Sequence, residues 1–194
     1  MFGYRDIVHL ASVTQSESRI TLDTTFELLN GLRSDPPDNE AVDTRAVLVA
    51  RGFTRAGNAS DASVQRLASR LRALGPFLRS LPDTEAEAAI GRVNEELTEL
   101  PITPSIAAHD GAGPHMHWTP STATFDDQVM ADILMSLAYE LCDNGTIRFG
   151  RCGAADCDDL FYDSTRNRSR RFCADPRCAS RTHTADHRAR RRSD

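Results

Sequence analysis

Four cysteines in the last quarter of the chain are the residues whose types and spacing indicate chemistry most directly. Cys152 and Cys157 form one C-x4-C pair, and Cys173 and Cys178 form a second pair after 15 intervening residues. Two close pairs of thiolates joined by a longer loop let a short chain surround one zinc ion tetrahedrally. We therefore predict one structural Zn²⁺ held by these four sulfur atoms, with no open coordination position for a catalytic water.

Disulfide bonds are the main alternative for these cysteines, and four unbonded thiols are another. The chain has five cysteines, an odd number, and four of them are clustered between residues 152 and 178. A secreted disulfide scaffold would have an even count and an export signal, which the first residues do not resemble. Metal ligation is the better explanation. The fifth cysteine, Cys142, falls on the apolar stripe of a predicted helix and is expected to be a buried core residue.

The charge of the chain changes sign along its length. The 194 residues carry a net charge of -5, but residues 151–194 contain eleven Arg against seven Asp, so the preceding 150 residues carry -9. Between residues 164 and 192 the count is ten Arg against two Asp. An acidic body with a basic end predicts that the end contacts a polyanion, although a solvated tail is the simpler reading.

The arginines of the basic end fall into two groups. Extended backbone through residues 165–171 would place Arg166, Arg168 and Arg170 on one face, about 7 Å apart, close to the spacing of phosphates along a nucleic acid strand. A basic helix is expected after Cys178. We predict phosphate contacts that position nucleic acid without reading its sequence. The candidate contacts are Arg166, Arg168, Arg170, Arg171, Arg181, Arg188, Arg190 and Arg191.

The preceding body has mostly helical patterns. The apolar stripe from Phe125 to Leu141, with Thr124 as its cap and Asn144-Gly145 as its stop, predicts a long helix. Two more helices are predicted, one from a capping box at Thr84 and Glu87, the other from Ser60 or Asp61 until Gly75-Pro76 bends or ends it. Shorter helices are expected around residues 23–30 and 43–51.

A short strand at residues 115–118, paired with residues 20–22, would give the body a small sheet. His115 and His117 would then project from one face, with His109 and Asp110 nearby in sequence. A metal or catalytic role is one reading of this group and a solvent-facing strand is the simpler one. Since no phosphate loop, nucleophile elbow or carboxylate signature is present, no enzymatic activity is expected.

The run RCGAADCDDLFYDSTRNRSRRFCADPRCASR resembles the CGNR-type zinc finger, a bacterial C-terminal module. That module has two C-x4-C pairs, a core F-x-D-x-[ST]-R-N-x-[SR]-R-x-[WFY]-C, and a closing C-G-N-R followed by a basic helix. The matching core residues are Phe161, Asp163, Arg166, Asn167, Arg168, Arg170, Arg171 and Phe172. Cys178-Ala179-Ser180-Arg181 departs from the family by replacing the Gly-Asn pair.

The body, with Leu22-Asp23 near its start and a long helix before the first Cys, is similar to the ABATE domain that precedes this finger. The resemblance implies an α+β fold: a mostly helical N-terminal domain, 1–145, with a small antiparallel sheet, and a zinc finger, 146–194, of short strands plus a basic helix. It also implies a stress-induced transcription regulator that binds DNA. A cytoplasmic location is expected separately, because the sequence shows no export signal and no stretch of about 20 apolar residues that could span a membrane.

Three functions stay open at this point. The first is a nucleic-acid-binding regulator that contacts double-stranded DNA and whose body binds a small-molecule effector or forms a homodimer. The second is a protein-interaction module or an RNA-binding protein, whose Arg residues could also dock on the acidic body and inhibit binding. The third is an enzyme that uses the His109–His117 region.

Overall fold

The computed structural model describes residues 4–32, 43–108 and 113–193, and the side chains of residues 16–32, 43–108 and 113–192. The chain is α+β, as predicted, with helices dominating. The helices are α1 (Tyr4–Gly31), α2 (Thr44–Ala50), α3 (Asp61–Ser80), α4 (Ala86–Thr98), α5 (Phe125–Asn144) and α6 (Pro176–Ser193). Short 3-10 helices span Thr54–Asn58 and Leu81–Asp83, and the strands are β1 (Ser105–Ala107), β2 (His115–His117), β3 (Phe149–Arg151) and β4 (Leu160–Tyr162).

Helix α5 lies at the centre of the body, against α1, α3 and α4. Its cap and stop are those predicted: the Thr124 hydroxyl accepts from the Asp127 N–H, and Gly145 ends the helix with φ of 61°. The core around it contains Phe26 of α1, Leu71 of α3 and Val93 of α4. Cys142, however, is exposed rather than buried, because the last turn of α5 buries Glu140 and Leu141 instead and leaves the Cys142 side uncovered.

Two antiparallel hairpins complete the architecture. The strand predicted at His115 is present, but β2 pairs with β1, with Ile106 opposite Met116. The predicted partner, residues 20–22, lies inside α1. There the buried Thr25 hydroxyl donates to the carbonyl of Thr21, one turn earlier, so a β-branched segment satisfies its polar groups within a helix. His109 and Asp110 lie outside the described residues.

Two helix boundaries also differ from the prediction. Helix α3 continues through Pro76 to Ser80, because burial of Leu74 and Leu78 on either side compensates for the hydrogen bond that the proline removes. The predicted capping box does not form: Thr84 donates its hydroxyl to the carbonyl of Ser80, and α4 starts after Glu85 without a side-chain cap.

The second hairpin, β3–β4, packs into the main core. Phe149, Leu160 and Tyr162 are buried in the same apolar cluster as the helices. Contacts therefore cross the boundary predicted after residue 145, and the last segment of the chain is attached to the body through its strands. None of the helices in the described part of the chain has the length and apolar character needed to span a bilayer.

Candidate metal centre and basic surface

The four predicted cysteines meet at one point. Cys152 follows β3, Cys157 lies in the loop before β4, Cys173 precedes α6, and Cys178 lies in the first turn of α6. Their sulfur atoms all lie within 4.8 Å of one another. Three of the cysteines are buried and Cys157 is half-buried. The cluster has its own small apolar shell, which contains Ala154 and Phe172.

The distances between sulfur atoms fit a metal and not disulfides. Cys173 Sγ lies 3.9 Å from Cys157 Sγ and 3.7 Å from Cys178 Sγ. A zinc ion with Zn–S bonds of about 2.3 Å and tetrahedral angles separates its sulfur ligands by about 3.8 Å. A disulfide would need about 2.05 Å, and all the cysteines are free. The cluster therefore fits a single structural zinc.

Backbone N–H groups are arranged around the sulfur atoms in a repeated pattern. The N–H two residues after each of Cys152, Cys157 and Cys173, contributed by Ala154, Asp159 and Asp175, donates to the preceding sulfur. Cys178 instead has the Arg181 guanidinium 3.6 Å from its sulfur. Donors aimed at sulfur stabilise thiolates, so the chain folds around the charge state that zinc requires.

The thiols nevertheless cannot all ionise without a cation. Burial raises the pKa of Cys157 to about 12 and also raises the pKa of Cys173, with the neighbouring cysteines adding to both shifts. Burial also acts on Cys152, but N–H donors from Cys173 and Ala154 outweigh it and lower its pKa. A divalent ion removes the repulsion between four close thiolates, which is the condition that zinc satisfies.

Close packing fixes the segment from Cys152 to Cys157, which we call the first knuckle. The Gly153 N–H donates to the Arg171 carbonyl at 2.8 Å, and a Cβ at Gly153 would lie 3.1 Å from that carbonyl oxygen. A Cβ at Gly150 would lie 2.6 Å from the Phe161 ring. Gly153 therefore permits close approach of the segments that carry the two cysteine pairs, and Gly150 permits close approach of β3 and β4.

These observations agree with a comparison against known families. Residues 148–191 match the CGNR zinc finger. The match is to the family model of that name and includes all four cysteines. No curated protein matches the chain. The similarity of the body to the ABATE domain lies outside the matched residues and stays a prediction.

The residues that replace Gly-Asn in this finger are helical. Ala179 and Ser180 lie in the first turns of α6, which Asp175 caps by accepting the Arg177 N–H at 2.9 Å. With Pro176 at the first helical position, this is a regular helix start. Arg181 donates to Asp156 at 3.1 Å, so the arginine of the family motif ties the helix to the first knuckle.

Residues 165–168, which we call the arginine turn, are not extended as predicted. They form a tight turn in which Arg168 has a positive φ of 51°. The buried carboxylate of Asp163 holds it: it accepts from the Thr165 N–H at 2.9 Å, the Thr165 hydroxyl at 2.5 Å and the Arg170 N–H at 2.9 Å. Since a turn replaces the ribbon, Arg166, Arg168 and Arg170 do not lie on one face at strand spacing.

Arg170 points toward the body rather than toward solvent. Its guanidinium forms an ion pair with Asp23 of α1 at 2.8 Å and donates to the Tyr162 carbonyl at 3.0 Å. Its Nε donates to the Phe172 carbonyl at 3.0 Å. These contacts give Arg170 a structural role that the sequence did not reveal, because Asp23 lies 147 residues away.

Most of the other predicted arginines are accessible. In the part of the chain that the structure describes, Arg166, Arg168, Arg171, Arg188, Arg190 and Arg191 are exposed and form no ion pair. Arg171 lies over the Phe172 ring, 5.6 Å from its centroid. Arg192 is also exposed. The structure thus keeps Arg166 and Arg168 in the arginine turn and the others near or on α6.

Helix α6 combines a fixed start with an exposed end. Its start is held by Cys178, by the Thr182 hydroxyl on the Cys178 carbonyl, and by a contact between the His183 and Phe172 rings. Every side chain from residue 183 to residue 192 is exposed; we call this part the arginine arm. With 3.6 residues per turn, one face carries Arg177, Arg181, Arg188, Arg191 and Arg192, and Arg190 lies opposite.

Proposed function

We propose that the protein binds nucleic acid through the arginine turn and the arginine arm, as a DNA-binding transcription regulator. The observation that carries this proposal is the arginine arm: its accessible arginines extend from a helix whose first turn contains a metal ligand. A zinc site supplies on the order of 10 kcal/mol of coupled folding free energy, which is enough to fix the start of such a helix.

The geometry of the arm supports a contact with phosphates. Arg188 and Arg192 are four residues apart on one face and have no acidic partner within the described residues. Guanidinium groups bind phosphates with two parallel hydrogen bonds. Arg181, in contrast, already contacts Asp156, so a phosphate would have to compete with that carboxylate. We expect Arg188 and Arg191 to contribute more than Arg181.

The role proposed for the body rests on its resemblance to the ABATE domain and on its charge. We propose that residues 1–145 bind a small-molecule effector or form a homodimer, and that the whole chain acts in a bacterial stress response in the cytoplasm. The acidic body would also repel phosphates, which would direct nucleic acid toward the basic end.

We propose no enzymatic activity. A zinc ion with four thiolate ligands has no open position for water or substrate, and this supports a structural role for the metal. The His183-x-x-Asp186-His187 segment lies in α6 with these three side chains exposed. Its order is not that of the motif H-E-x-x-H, and it has Asp where the inverted motif H-x-x-E-H has Glu.

An interaction with an acidic protein is the second candidate function. The contact between Arg170 and Asp23 shows that an arginine of the finger does bind the acidic body. Docking of the remaining arginines on the body would inhibit nucleic acid binding, but the accessible set described above makes no such contact. We therefore favour a nucleic acid over the body as the partner of these arginines.

A salt titration of the full chain tests the proposal. Binding to a labelled DNA duplex is measured by fluorescence anisotropy at several salt concentrations, with and without a zinc chelator. If about five arginines neutralise phosphates, log affinity falls with log salt with a slope of about -4 to -6, and the chelator abolishes binding. A flat salt response would contradict the proposal.

Parallel titrations with single-stranded RNA and with an acidic peptide separate the alternatives. Preference for the duplex supports a DNA regulator, and preference for RNA or the peptide supports the second function. The full chain is required, because a fragment of residues 146–194 would expose Phe149, Leu160 and Tyr162, which are buried against the body.

A further inference from the structure

The body contains a cavity that the zinc finger does not use. It has a volume of about 300 Å³ and lies between α1, the segment 51–55 after α2, strand β2 and helix α5. This volume is at the lower end of the range for small-molecule sites. The cavity is separate from the cysteine cluster, and none of its lining residues is a cysteine.

Aromatic and aliphatic side chains form most of its walls. Phe53, Trp118 and Phe125 line the cavity and are half-buried, and Val129 of α5 and Thr21 of α1 are buried. The Trp118 ring also packs against the Tyr139 ring, with centroids 5.9 Å apart. Such walls bind a flat apolar group of a ligand through burial and through contact between rings.

Two polar groups on α5 face the same cavity. Asp132 and Ser136 lie one turn apart on the helix, and both line the cavity. Within the described residues, no group donates a hydrogen bond to either side-chain oxygen. Burial raises the pKa of Asp132 to about 7; the charge of Glu17 adds to the shift, and Arg55 and His115 oppose it. Asp132 is half-buried, so a ligand that fills the cavity would displace water from this carboxyl group and would have to supply a hydrogen-bond donor in its place.

We propose that this cavity binds a small aromatic amine, whose ring lies among Phe53, Trp118 and Phe125 and whose ammonium donates hydrogen bonds to Asp132 and Ser136. The inference gives a chemical class to the effector suggested above and rests on that part of the proposed function. It doesn't require that the chain bind nucleic acid.

The charges around the cavity favour a cation at Asp132 over an anion. Glu17 of α1 adds attraction, whereas Arg51 and Arg55 after α2 oppose it. The Arg51 charge is paired with Glu27, and Glu17 and Arg55 are both exposed at the rim, where solvent screening weakens their effects alike. His115 and His117 of β2 are half-buried, and their rings lie 4.8 Å apart. An aromatic carboxylate would contact Arg55 and these histidines but would be repelled by Asp132 and Glu17.

A metal ion is a poorer occupant than an amine. Within the described residues, the cysteine cluster is the group of His, Cys, Asp and Glu side chains whose ligand atoms converge. His115, His117 and Asp132 don't form such a group. The two histidines on one face of β2, singled out from the sequence, therefore border an organic ligand site in this account.

The cavity shares helix α1 with the zinc finger. Thr21 lines the cavity, and Asp23, two residues further along α1, binds Arg170 and accepts from the Ser164 hydroxyl. A ligand in the cavity would thus contact the helix that binds the residues on either side of the arginine turn, as expected of an effector site.

The test uses 2-phenylethylamine as the probe and the full chain without nucleic acid. Trp118 is the single tryptophan of the chain, so its fluorescence reports binding in the cavity. We expect a saturable change with the amine, and binding weaker by about tenfold or more with 2-phenylethanol and with phenylacetate. Tighter binding of phenylacetate, or no saturable response to the amine at millimolar concentration, would overturn the proposal.

Variants of α5 identify the group that holds the ammonium. Asp132→Asn is expected to weaken amine binding by about tenfold, and Ser136→Ala to weaken it less. Asp143→Asn removes an exposed carboxylate from the same helix outside the cavity and should leave binding unchanged. If Asp132→Asn, shown by circular dichroism to be folded, binds as well as the unmodified chain, the proposal is wrong.

The pH dependence gives a second readout. Raising the pH from about 6 to about 8 ionises Asp132, whose pKa is about 7, while the amine stays protonated. The other ionisable groups that line the cavity are unchanged in Asp132→Asn, so this variant isolates the contribution of Asp132; they are Glu17, Arg51, Arg55, His115, His117 and Tyr139. Amine affinity should therefore rise over this interval in the unmodified chain and much less in Asp132→Asn. A constant or falling affinity in the unmodified chain would contradict the inference. Because nucleic acid is absent, these outcomes are independent of the finger's proposed partner.

Discussion

Single side chains at the zinc finger act mainly by holding backbone in place. Asp163 accepts two hydrogen bonds from Thr165 of the arginine turn and one from the Arg170 N–H just after it, and the Arg170 side chain binds Asp23 of α1. The sequence motif contained both residues but could not assign their roles. Nothing in the local sequence distinguishes Arg170 from the exposed arginines beside it, because its partner Asp23 is brought near only by the fold. The cysteines differ, because the ligand chemistry of a C-x4-C pair depends on local spacing and is readable without the fold.

Replacing Asp163 tests the first of these roles. Asp163→Asn should weaken binding of the full chain to a DNA duplex several-fold while its zinc content stays unchanged, because the arginine turn loses acceptors but the cysteines do not. The control Asp186→Asn changes the charge equally at an exposed position of α6 and should not weaken binding. Equal affinities of the two variants would contradict this role.

The hydrogen bonds of Asp163 also have a pH dependence. Burial favours the neutral acid, but donors from Thr165 and Arg170 outweigh it and lower the pKa of Asp163. The stability they contribute is therefore present above the ordinary pKa of about 3.9 and is lost as the pH falls through the lower folded-state pKa. In urea unfolding at matched pH, the stability difference between the unmodified chain and Asp163→Asn should shrink below about pH 4. A difference that persisted in acid would show that ionisation of Asp163 is not its source.

At the scale of elements, helix α6 is the part that connects the metal to the basic surface. It starts at Pro176, with Asp175 as its N-terminal cap, includes Cys178, and continues as the exposed arginine arm. The sequence predicted this helix from its arginines and histidines. It did not predict the arginine turn, because a positive φ at a non-glycine residue such as Arg168 depends on the bonds made by Asp163.

The two opposite faces of α6 are predicted to contribute differently to duplex binding. If the face with Arg188 contacts phosphates, Arg188→Gln should lower the magnitude of the salt slope of duplex binding by about one. Arg190→Gln removes the same charge from the opposite side and should have a smaller effect, as should Arg72→Gln on the exposed surface of α3. Indistinguishable slopes for the Arg188 and Arg190 variants would mean that the arm has no preferred face.

For the whole molecule, the attachment of the finger to the body decides what can be transmitted between them. Asn30 of α1 both donates to the Leu160 carbonyl at 2.8 Å and accepts from the Leu160 N–H at 3.0 Å, and the Tyr162 hydroxyl donates to Glu140 at 2.8 Å. The sequence predicted two domains because charge and cysteine content change near residue 145. The long-range contacts that join them leave no local pattern, so the shared core was not predictable.

Replacing Asn30 measures the strength of this attachment. Asn30→Ala leaves both backbone groups of Leu160 without their partner and should lower the free energy of unfolding by about 1–3 kcal/mol. Asn94→Ala, at an exposed position of α4, should change it little. The free energies are measured by urea unfolding of zinc-loaded protein. A loss no larger than that of the control would show that the pairing with Leu160 does not hold the hairpin.

The zinc content of full-length variants tests the central claim most directly. Metal analysis of purified protein should find one zinc per chain in the unmodified protein and in Cys142→Ser, whose thiol is exposed and is not one of the four that converge. Cys173→Ser should lose the metal or hold it far more weakly, because one of four converging sulfur atoms is removed. Equal zinc content in the two variants, or no zinc in the unmodified chain, would contradict the account.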